Sequence, residues 1–581
     1  MNVRGVFRAE PDGSLPHMPR RWSARWRSGL ALLLLGIVAV GIVSAMVRAR
    51  LPRADFVFNN GQEVTSLDPA AITGQPEMRV LHALFEGLTV KDPVTLEPMP
   101  AVAESWDVSP DGLHYTFHLR QARWSNGDPL TAMDFAWSWR RLLAPETAAQ
   151  YAYQLWCVRG AREFSLAERE IEGRWAAVGL ETPDPRTLEV ELERPTPYFL
   201  ALTSSPPLFP VHRASLEEAQ KRFPDSWQSQ WLQPGYLVSN GPFRLFERRL
   251  NDRLRLVRND DYWDSSHVGF ASMDVLSIEH PVTALNLYLA GEIDWIERVP
   301  TSLVPTLLAR DDFRPTPYLA TYFYRVNTTR PPLDDPRVRK ALALAIDRRA
   351  ICEKIMKKGE RPCWSLTPEG FAGYARPELA HDAAGTEEAG RAAAFARDLD
   401  EAQRLMAEAG FGPGGQPLPS ITIHYNSSET HRDVAEVVAA TWTRALGLPV
   451  RFANEEGRVY LDTQSRLDYD VSRSSWIGDY LDPNTFLEVF VGGGENNRTG
   501  WANDRYDVLV RAAASQPDPA ARLATLAQAE AILLEELPIL PIFGYVSQNL
   551  VRTDLEGFHE NLQDEHPPKF FRWKDGAGPA R

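Results

Sequence analysis

A cation and an anion lie at a chemically useful spacing in one stretch of the chain, residues 469–490. The first half of this stretch alternates like a β-strand. If the strand continues through Asp479, one face of it carries four side chains, those of Arg473, Ser475, Ile477 and Asp479. The cation and the anion are then about 20 Å apart, at about 3.3 Å per residue. A short extended peptide carries its ammonium and its carboxylate over a similar span, so the spacing indicates a candidate peptide-binding strand.

A helix start signal follows this strand. Asp482 precedes Pro483, and an N-cap acid followed by proline is typical of the first turn of a helix. This arrangement leaves Asp479 without a capping role. The alternative interpretation is structural, because Arg473 can pair with an acid elsewhere in the chain and Asp479 can accept hydrogen bonds from loop amides.

Length and charge narrow the class of protein. A chain of 581 residues is long enough for two to four domains. Residues 1–53 carry nine arginines against Glu10 and Asp12, a net charge of +7, and the total is −14, so residues 54–581 carry −21. This acidic body argues against nucleic-acid binding, for which a basic surface is expected.

The amino terminus predicts export. Residues 29–47 are an uncharged run of 19, which is just long enough to cross a bilayer as a helix. Six arginines precede the run and three follow it, so we expect residues 1–28 to be a cytoplasmic basic leader and residues 29–48 to be a membrane anchor. The alternative is a cleaved signal peptide, because residues 43–45 (Val-Ser-Ala) resemble a cleavage site. The run has no cysteine, which excludes a lipoprotein anchor.

Catalytic and metal-binding signatures are absent from the sequence. There is no Gly-x-Ser-x-Gly, no His-Glu-x-x-His, and no phosphate-binding loop after the glycines at 492–494. His559 and His566 lie near acids, but their loose spacing is typical of a solvated tail. We therefore predict no catalytic residue, no metal and no cofactor, and an extracellular hydrolase is the disfavoured alternative. A disulfide framework is excluded, since there are only three cysteines: Cys157, Cys352 and Cys363.

Turn and capping signals along the rest of the chain predict a mixed α/β body. The Asp-Gly pair at 111–112 predicts a hairpin, and Thr131 with Asp134 predicts a capping box. Further elements are predicted as helices over 77–85 and 431–446, helices that begin at the Asp-Pro pairs 335–336 and 518–519, and strands over 188–192 and 421–425.

Several motifs together resemble bacterial extracellular solute-binding protein family 5. Within that family the chain is most similar to the oligopeptide receptors of ABC importers. The resemblance covers nearly all of the sequence between the apolar run and about residue 557. Its motifs are Asn-Asn-Gly at 59–61, Ser-Leu-Asp-Pro at 66–69, Leu-Phe-Glu-Gly-Leu at 84–88, Ala-Glu-Ser-Trp at 103–106, Tyr-Thr-Phe-His-Leu-Arg at 115–120, Asn-Gly-Pro-Phe at 240–243, Gly-Glu-Ile-Asp at 291–294 and Asp-Pro-Arg-Val-Arg-Lys-Ala-Leu at 335–342.

The resemblance implies roles for individual residues. It implies that Asp479 holds the ligand's α-ammonium, while Arg473 and His431 receive carboxylates of ligands of different length. It also implies that the peptide backbone adds as a strand between two segments, where main-chain bonds give affinity without reading sequence. The two segments are Thr73, Gly74 and Gln75 on one side and Ser475, Trp476 and Ile477 on the other.

The chain also departs from the family pattern. Thr73 and Arg325 stand where the family has glutamates, and Arg325 favours acidic ligands or a different ligand length, with a surface ion pair as the alternative. A family lysine falls on Met356, beside Lys357. A family cysteine pair falls on Ala320 and Ile477, so the resemblance implies that this disulfide is lost as a whole.

The resemblance implies a periplasmic-binding-protein type II-like α/β fold with two lobes that close on the ligand and a smaller third domain. We expect lobe I at 54–85, 206–319 and 545–581, accessory domain II at 86–205, and lobe III at 320–544. The expected function is a monomeric periplasmic receptor that delivers oligopeptides to ABC permease subunits and is attached to the membrane through residues 29–47. The alternative is a family receptor for another solute, such as a murein peptide or a nickel complex.

Overall fold

The body of the chain is a mixed α/β fold, as the sequence predicted. The structure, a computed structural model, describes residues 51–72, 74–169, 171–381, 388–412 and 415–574. The apolar segment 29–47 and the basic leader lie outside these residues, so the anchor stays a prediction. Among the helices in the described ranges, none is both long and apolar enough to cross a membrane.

Strands occur from the start of the described body to its end. Several are short, and two are long, with 14 and 13 residues. In chain order the strands are β1 Phe56–Asn59, β2 Thr89–Lys91, β3 Pro98–Pro100, β4 Ala103–Val108, β5 His114–Leu119, β6 Ala122–Arg123, β7 Pro129–Leu130, β8 Leu180–Asp184, β9 Thr187–Glu191, β10 Phe243–Arg249, β11 Arg253–Arg258, β12 Ser272–Leu276, β13 Trp295–Ile296, β14 Phe313–Val326, β15 Arg361–Pro362, β16 Ile421–Asn426, β17 Val450–Glu455, β18 Val471–Ile477, β19 Ile539–Val551, β20 Leu555–Glu556 and β21 Arg572–Trp573.

One large mixed sheet runs through the body. Its strand order is β10-β11-β12-β1-β13-β19-β14-β18-β16-β17, with β15 paired to β19. The two long strands, β14 and β19, lie antiparallel at its centre, and their pairing shifts register between Pro317 and Thr321. A separate four-stranded sheet has the order β4-β5-β9-β8. The long central strands therefore connect two halves of one sheet.

Helices separate many of these strands. They are α1 Gln75–Leu84, α2 Ala132–Leu143, α3 Ala161–Ser165, α4 Ile171–Trp175, α5 Phe199–Leu202, α6 Arg213–Arg222, α7 Trp227–Gln230, α8 Pro281–Leu289, α9 Val304–Leu307, α10 Pro336–Leu344, α11 Arg348–Ala350, α12 Glu388–Glu408, α13 Glu429–Leu446, α14 Gly457–Ser465, α15 Asn484–Leu487, α16 Asp504–Ala514 and α17 Pro519–Glu536. A π-helix covers Ile351–Met356, and short 3-10 helices include Ala152–Leu155 and Glu488–Phe490.

Predicted helix starts are confirmed at the Asp-Pro pairs 335–336 and 518–519 and at the expected capping box. Asp335 accepts a hydrogen bond from the amide two residues on, and Asp518 accepts one from the amide of Ala521. Thr131 and Asp134 form the predicted capping box at α2. Such side-chain bonds satisfy amides that the helix itself leaves free, which is why these local signals were reliable.

Three predicted helix starts were wrong, two of them by two residues and one by a single residue. Helices α1 and α13 begin at Gln75 and Glu429, because Gly74 and Ser428 are extended residues that already serve as N-caps. Helix α15 begins at Asn484, and Pro483 rather than Asp482 is its N-cap residue. The Asp482 carboxylate accepts from the Asn484 amide and forms a two-pronged ion pair with Arg522, at 2.6 and 2.9 Å.

Buried apolar side chains form separate clusters in the two halves of the body. Apart from Tyr480, the largest cluster draws on residues 56–295 and 551–571 and includes Trp139. The cluster around Trp442 draws on residues 322–543, and the cluster around Phe486 draws on residues 319–539. These two later clusters lie on opposite faces of β14, since its alternate side chains enter one or the other.

Candidate ligand-binding cleft

Strand β18 presents an unpaired edge. It pairs with β14 from Val471 to Ile477 but with β16 only at Val471 and Ser472. From Arg473 onward, its second edge pairs with no strand in the described part of the chain. The Arg473 carbonyl points to this edge, where it accepts hydrogen bonds from Tyr460 and Gln464. The main-chain amides and carbonyls of every second residue point to the same edge of a strand. Those of Ser475 and Ile477 therefore point to the same edge as those of Arg473.

The strand ends before Asp479, which corrects the prediction that extended geometry continues through it. Strand β18 stops at Ile477. The Gly478 amide still donates to the Leu319 carbonyl of β14 at 2.8 Å. The Asp479 amide donates instead to the Thr485 hydroxyl at 3.0 Å, which directs the chain into α15. Asp479 therefore lies at the start of the turn that follows β18, just beyond the unpaired edge.

The Asp479 carboxylate has no counter-ion among the described residues. No cation of the described residues lies within ion-pairing distance of it, and no loop amide in these ranges donates to it, so the structural alternative is not supported. Burial raises the pKa of this carboxyl to about 6, while the nearby Tyr153 hydroxyl acts in the opposite direction. A buried carboxylate without a counter-ion is costly, and a bound cation relieves that cost.

A cavity of about 330 Å³ opens beside Asp479. Its walls bring together both segments that the sequence predicted, with Gly74 and Gln75 on one side and Ile477 and Asp479 on the other. Ile477 is 52% exposed. This volume lies within the usual range of small-ligand sites, about 300–1,000 Å³. A larger opening of about 1,160 Å³ reaches Asp482 from segments 94–98, 109–112 and 195–201.

Arg473 lies at the other end of the free edge. Its guanidinium lies 4.9 Å from the centre of the Tyr322 ring and donates to the hydroxyls of Tyr545 at 3.1 Å and Ser475 at 3.2 Å. A longer contact of 3.5 Å reaches the amide oxygen of Asn426. Its Nε is buried without a partner, and no acid of the described ranges pairs with it. This group is a cation held by neutral partners.

His431 belongs to the same cluster. Its Nδ1 lies 3.5 Å from the Tyr322 hydroxyl, which also lies close to Arg473. Burial and the positive charge of Arg473 lower the pKa of His431 to about 4. The imidazole is therefore neutral at pH 7 and offers a ligand carboxylate a hydrogen bond rather than a charge.

Arg325 and Trp476 lie behind the strand. Arg325 is buried, donates to the Ser474 hydroxyl at 3.1 Å and the Asn496 carbonyl at 2.9 Å, and packs near two phenylalanine rings. Burial lowers the pKa of Arg325 to about 10. The surface ion pair considered for this residue was wrong, because the side chain is inside the protein. Trp476 packs against the cluster around Phe486, on the face opposite Arg473.

The segment at residues 73–75 and the pair Ala320 and Ile477 are the remaining positions that the resemblance singled out. Thr73 lies outside the described residues. Gly74 caps α1, and the Gln75 side chain donates to the Tyr318 hydroxyl at 3.3 Å. The positions to which the resemblance assigned a lost cysteine pair, Ala320 and Ile477, are direct partners across β14 and β18.

Sequence reasoning missed several cleft residues. Tyr151, Gln154 and Tyr318 line the cavity, and Tyr545 holds Arg473. They come from distant parts of the chain, so spacing gives no signal for them. The cavity residues of α1 could have been predicted, because their spacing places them on one face of a helix. They are Gln75, Met78, Arg79 and His82.

Comparison with known proteins decides the family. The family model described as "Bacterial extracellular solute-binding proteins, family 5 Middle" matches residues 97–498. The periplasmic murein peptide-binding protein of Escherichia coli (strain K12) is 35% identical over 508 residues, which are 87% of this chain and 90% of that protein. The chain belongs to bacterial extracellular solute-binding protein family 5. The periplasmic oligopeptide-binding protein of Salmonella typhimurium is also 35% identical, over 90% of this chain and 95% of its own.

Solved structures of family members share this fold. The unliganded open form of the murein tripeptide-binding protein matches with a TM-score of 0.75 and 33% identity, over 90% of this chain and 96% of that one. The Haemophilus influenzae oligopeptide-binding protein in complex with the peptide RPPGFSPFR matches with a TM-score of 0.68 and 32% identity, over 90% of this chain and 100% of that one. The family and these relatives are solute-binding receptors, not enzymes, and the relatives are periplasmic.

Proposed function

We propose that this family 5 protein is an extracytoplasmic receptor that captures oligopeptides and delivers them to an ABC permease. The observation that carries the proposal is the uncompensated, largely buried Asp479 carboxylate at the end of an unpaired strand edge. An unpaired edge offers main-chain bonds to an extended peptide, and an anion without a counter-ion offers a place for its ammonium. Relatives named for oligopeptide and murein peptide binding support the ligand class.

In the proposed complex the peptide adds beside Ser475 and Ile477, with Gly74, Gln75 and Thr73 on its other side. Asp479 receives the ammonium. Arg473 and His431 receive the carboxylates of ligands of different length. Trp476 and Arg325 support strand β18 from the face opposite Arg473. Trp476 packs against the cluster around Phe486, and Arg325 donates a hydrogen bond to the Ser474 hydroxyl.

We further propose that two lobes close on the peptide. Lobe I comprises 54–85, 206–319 and 545–581, accessory domain II comprises 86–205, and lobe III comprises 320–544. Strands β14 and β19 cross both proposed boundaries, and their pairing shifts register between Pro317 and Thr321. The separate apolar clusters on either side support independent lobes. Small-angle scattering should show a smaller radius of gyration with saturating peptide, and an unchanged radius with binding confirmed would contradict closure.

The membrane attachment is a separate proposal. We propose that residues 29–47 anchor the mature protein to the inner membrane, with the folded body in the periplasm. Amino-terminal sequencing and carbonate extraction of membranes test it. A mature chain that begins near Met46 and washes off the membrane would establish a cleaved signal instead.

One experiment tests the ligand class directly. Protein purified under native conditions should release peptides on denaturation, and mass spectrometry identifies them. Trialanine should then bind the emptied protein in calorimetry, whereas its N-acetylated form should bind far more weakly. A second candidate, murein peptides, is favoured by the 35% identical relative named for them, and the released ligands distinguish the two. Equal binding of free and acetylated trialanine would contradict Asp479 as the ammonium anchor.

A further inference from the structure

One aromatic contact joins two parts of the body directly beside the Asp479 carboxylate. The rings of Tyr198 and Tyr480 stack nearly parallel, with their centres 3.8 Å apart and their planes at 9°. Tyr198 belongs to the proposed accessory domain II, and Tyr480, the residue after Asp479, belongs to the proposed lobe III. An aromatic pair stabilises a contact beyond the area that it buries. The stack therefore attaches lobe III to domain II at the position of the anchor.

Tyr480 packs with the apolar side chains of the other half of the body. It is buried, and among the described residues it is the one member of the largest apolar cluster that comes from residues 320–544. The next residue, Leu481, packs instead against the cluster around Phe486. The backbone that follows Asp479 therefore lies where the two halves of the body meet.

Hydrogen bonds connect the Tyr480 side chain to the turn that carries Asp479. The Tyr480 hydroxyl donates to Glu488 at 2.8 Å, and the Asn484 side-chain amide donates to these same two groups at 3.1 and 3.0 Å. The Asp479 amide donates to the hydroxyl of Thr485, three residues before Glu488, at 3.0 Å. These bonds make the turn one connected unit, so a contact that holds the Tyr480 ring also holds the Asp479 backbone.

The domain that carries Tyr198 also supplies part of the ligand cavity. Tyr151 and Gln154, both within residues 86–205, line that cavity together with Asp479. Tyr198 lines the larger opening of about 1,160 Å³ and does not line the ligand cavity. It therefore acts on Asp479 through Tyr480 and not through the ligand.

We propose that Tyr198 is a positioning residue for the ammonium anchor, because its stack on Tyr480 fixes Asp479 relative to the cavity wall that domain II supplies. The inference rests on the proposed peptide-binding function and adds a residue that its site requires. A carboxylate held in place before the ligand arrives binds more tightly than one that must be ordered on binding. Without the stack, the turn loses its attachment to domain II and the anchor loses its fixed position.

Amide hydrogen exchange of the ligand-free, full-length protein tests the positioning. Tyr198→Ala should raise exchange in residues 478–488 about fivefold, because the turn opens more often without the aromatic contact. Tyr198→Phe keeps the ring and should exchange like the wild type. If Tyr198→Ala does not fold, Tyr198→Leu, which keeps apolar bulk without a ring, should raise exchange in the same segment. Unchanged exchange in a folded ring-less variant would overturn the inference.

A matched control separates this contact from any loss of an aromatic side chain. Tyr236 is also half-buried and packs on an aromatic ring, that of Phe223 at 5.5 Å, but it lines neither opening. Tyr236→Ala should leave exchange in residues 478–488 unchanged. Equal increases in the two alanine variants would overturn the inference, because they would show a general loosening of the body.

Calorimetry distinguishes positioning from a general structural role. In Tyr198→Ala the affinity for trialanine should fall about fivefold, whereas affinity for N-acetyltrialanine, which does not use the anchor, should stay the same. Tyr198→Ala should cause no further loss in the Asp479→Asn background, because the group that it positions is gone. Tyr198→Phe should restore the wild-type ratio between the two peptides.

The outcomes separate this inference from the proposed function. An equal loss of affinity for both peptides in Tyr198→Ala, or an undiminished loss in the Asp479→Asn background, would assign Tyr198 a structural role and overturn the inference alone. Equal binding of both peptides to the wild type would overturn the proposed ammonium anchor itself.

Discussion

The two ends of the β18 edge hold opposite charges in very different surroundings. Asp479 has no counter-ion in the ranges that the structure describes, and its carboxyl has a pKa raised to about 6 by burial. Arg473 also has no acidic partner in the described part of the chain, but two hydroxyls, an amide oxygen and an aromatic face surround its guanidinium. The anion, which the Tyr153 hydroxyl contacts, is therefore less well solvated than the cation, which several neutral groups surround.

This difference predicts unequal roles in recognition. A poorly solvated charge gains most from an ion of opposite sign, because the ligand removes a desolvation cost that the free protein carries. A charge that neutral dipoles already surround gains less, because it must exchange existing contacts for new ones. We therefore expect a strict requirement for the ligand's ammonium and a tolerant response to its carboxylate.

The largest expected effect is at the Asp479 end. Asp479→Asn preserves shape and removes charge, and losing one partner of a buried pair costs about 2–5 kcal/mol. Peptide affinity should fall by about 30-fold or more in calorimetry. Acetylation of the peptide should weaken wild-type binding to the same degree and should add nothing in the variant, because both changes remove one interaction. Asp504→Asn, which changes an exposed acid outside the cavity, is the control.

A pH titration should show the next effect. Because the pKa of Asp479 is raised, the carboxyl gains a proton as pH falls through about 6, and the ammonium loses its anionic partner. Affinity for trialanine amide should weaken about tenfold between pH 7 and pH 5. His431 does not contribute, since its pKa is about 4, and Tyr153 titrates far above this range. A profile that is equally steep in Asp479→Asn would assign the proton to another group, for which the neighbouring Glu488 is the first candidate.

The Arg473 end should respond more weakly. Arg473→Gln should lower affinity for peptide acids that reach it by about fivefold, or about 1 kcal/mol, because the hydroxyls of Ser475 and Tyr545, which accept from Arg473 in the wild type, then donate to the carboxylate. Peptide amides should bind the variant and the wild type equally. A loss as large as that of Asp479→Asn would erase the contrast between the two ends.

The smallest effect should appear without ligand. The pKa of Asp479 is raised from 3.8 to about 6 on folding, so its ionised form destabilises the free protein above about pH 6 and not below about pH 4. Asp479→Asn should therefore stabilise the free protein at pH 8, by at most about 3 kcal/mol, and raise Tm by a few degrees. At pH 4 the two proteins should melt together. A lower Tm for the variant at pH 8 would show that the carboxylate is stabilised in the free state.

Local signals in the sequence determined much of the fold. The Asp-Pro pairs at 335–336 and 518–519 and the capping box at Thr131 predicted helix starts correctly, because these bonds form between residues two or three positions apart. Resemblance to the family predicted both flanking segments and Asp479, and the structure brings Gly74, Gln75, Ile477 and Asp479 to one cavity. Residues 29–47 remain a prediction from sequence alone.

The tertiary structure decided what no local pattern contains. Spacing along β18 gave no indication that Tyr545, 72 residues further along the chain, would hold Arg473, or that Arg325 would turn inward toward Ser474. It also could not show that Asp479, which has no counter-ion among the described residues, lines one cavity with Gly74 and Gln75. Hydrogen bonds within a turn are fixed by the residues beside them. Whether a charge finds a partner depends on burial and on side chains from distant segments, and only the folded chain specifies those.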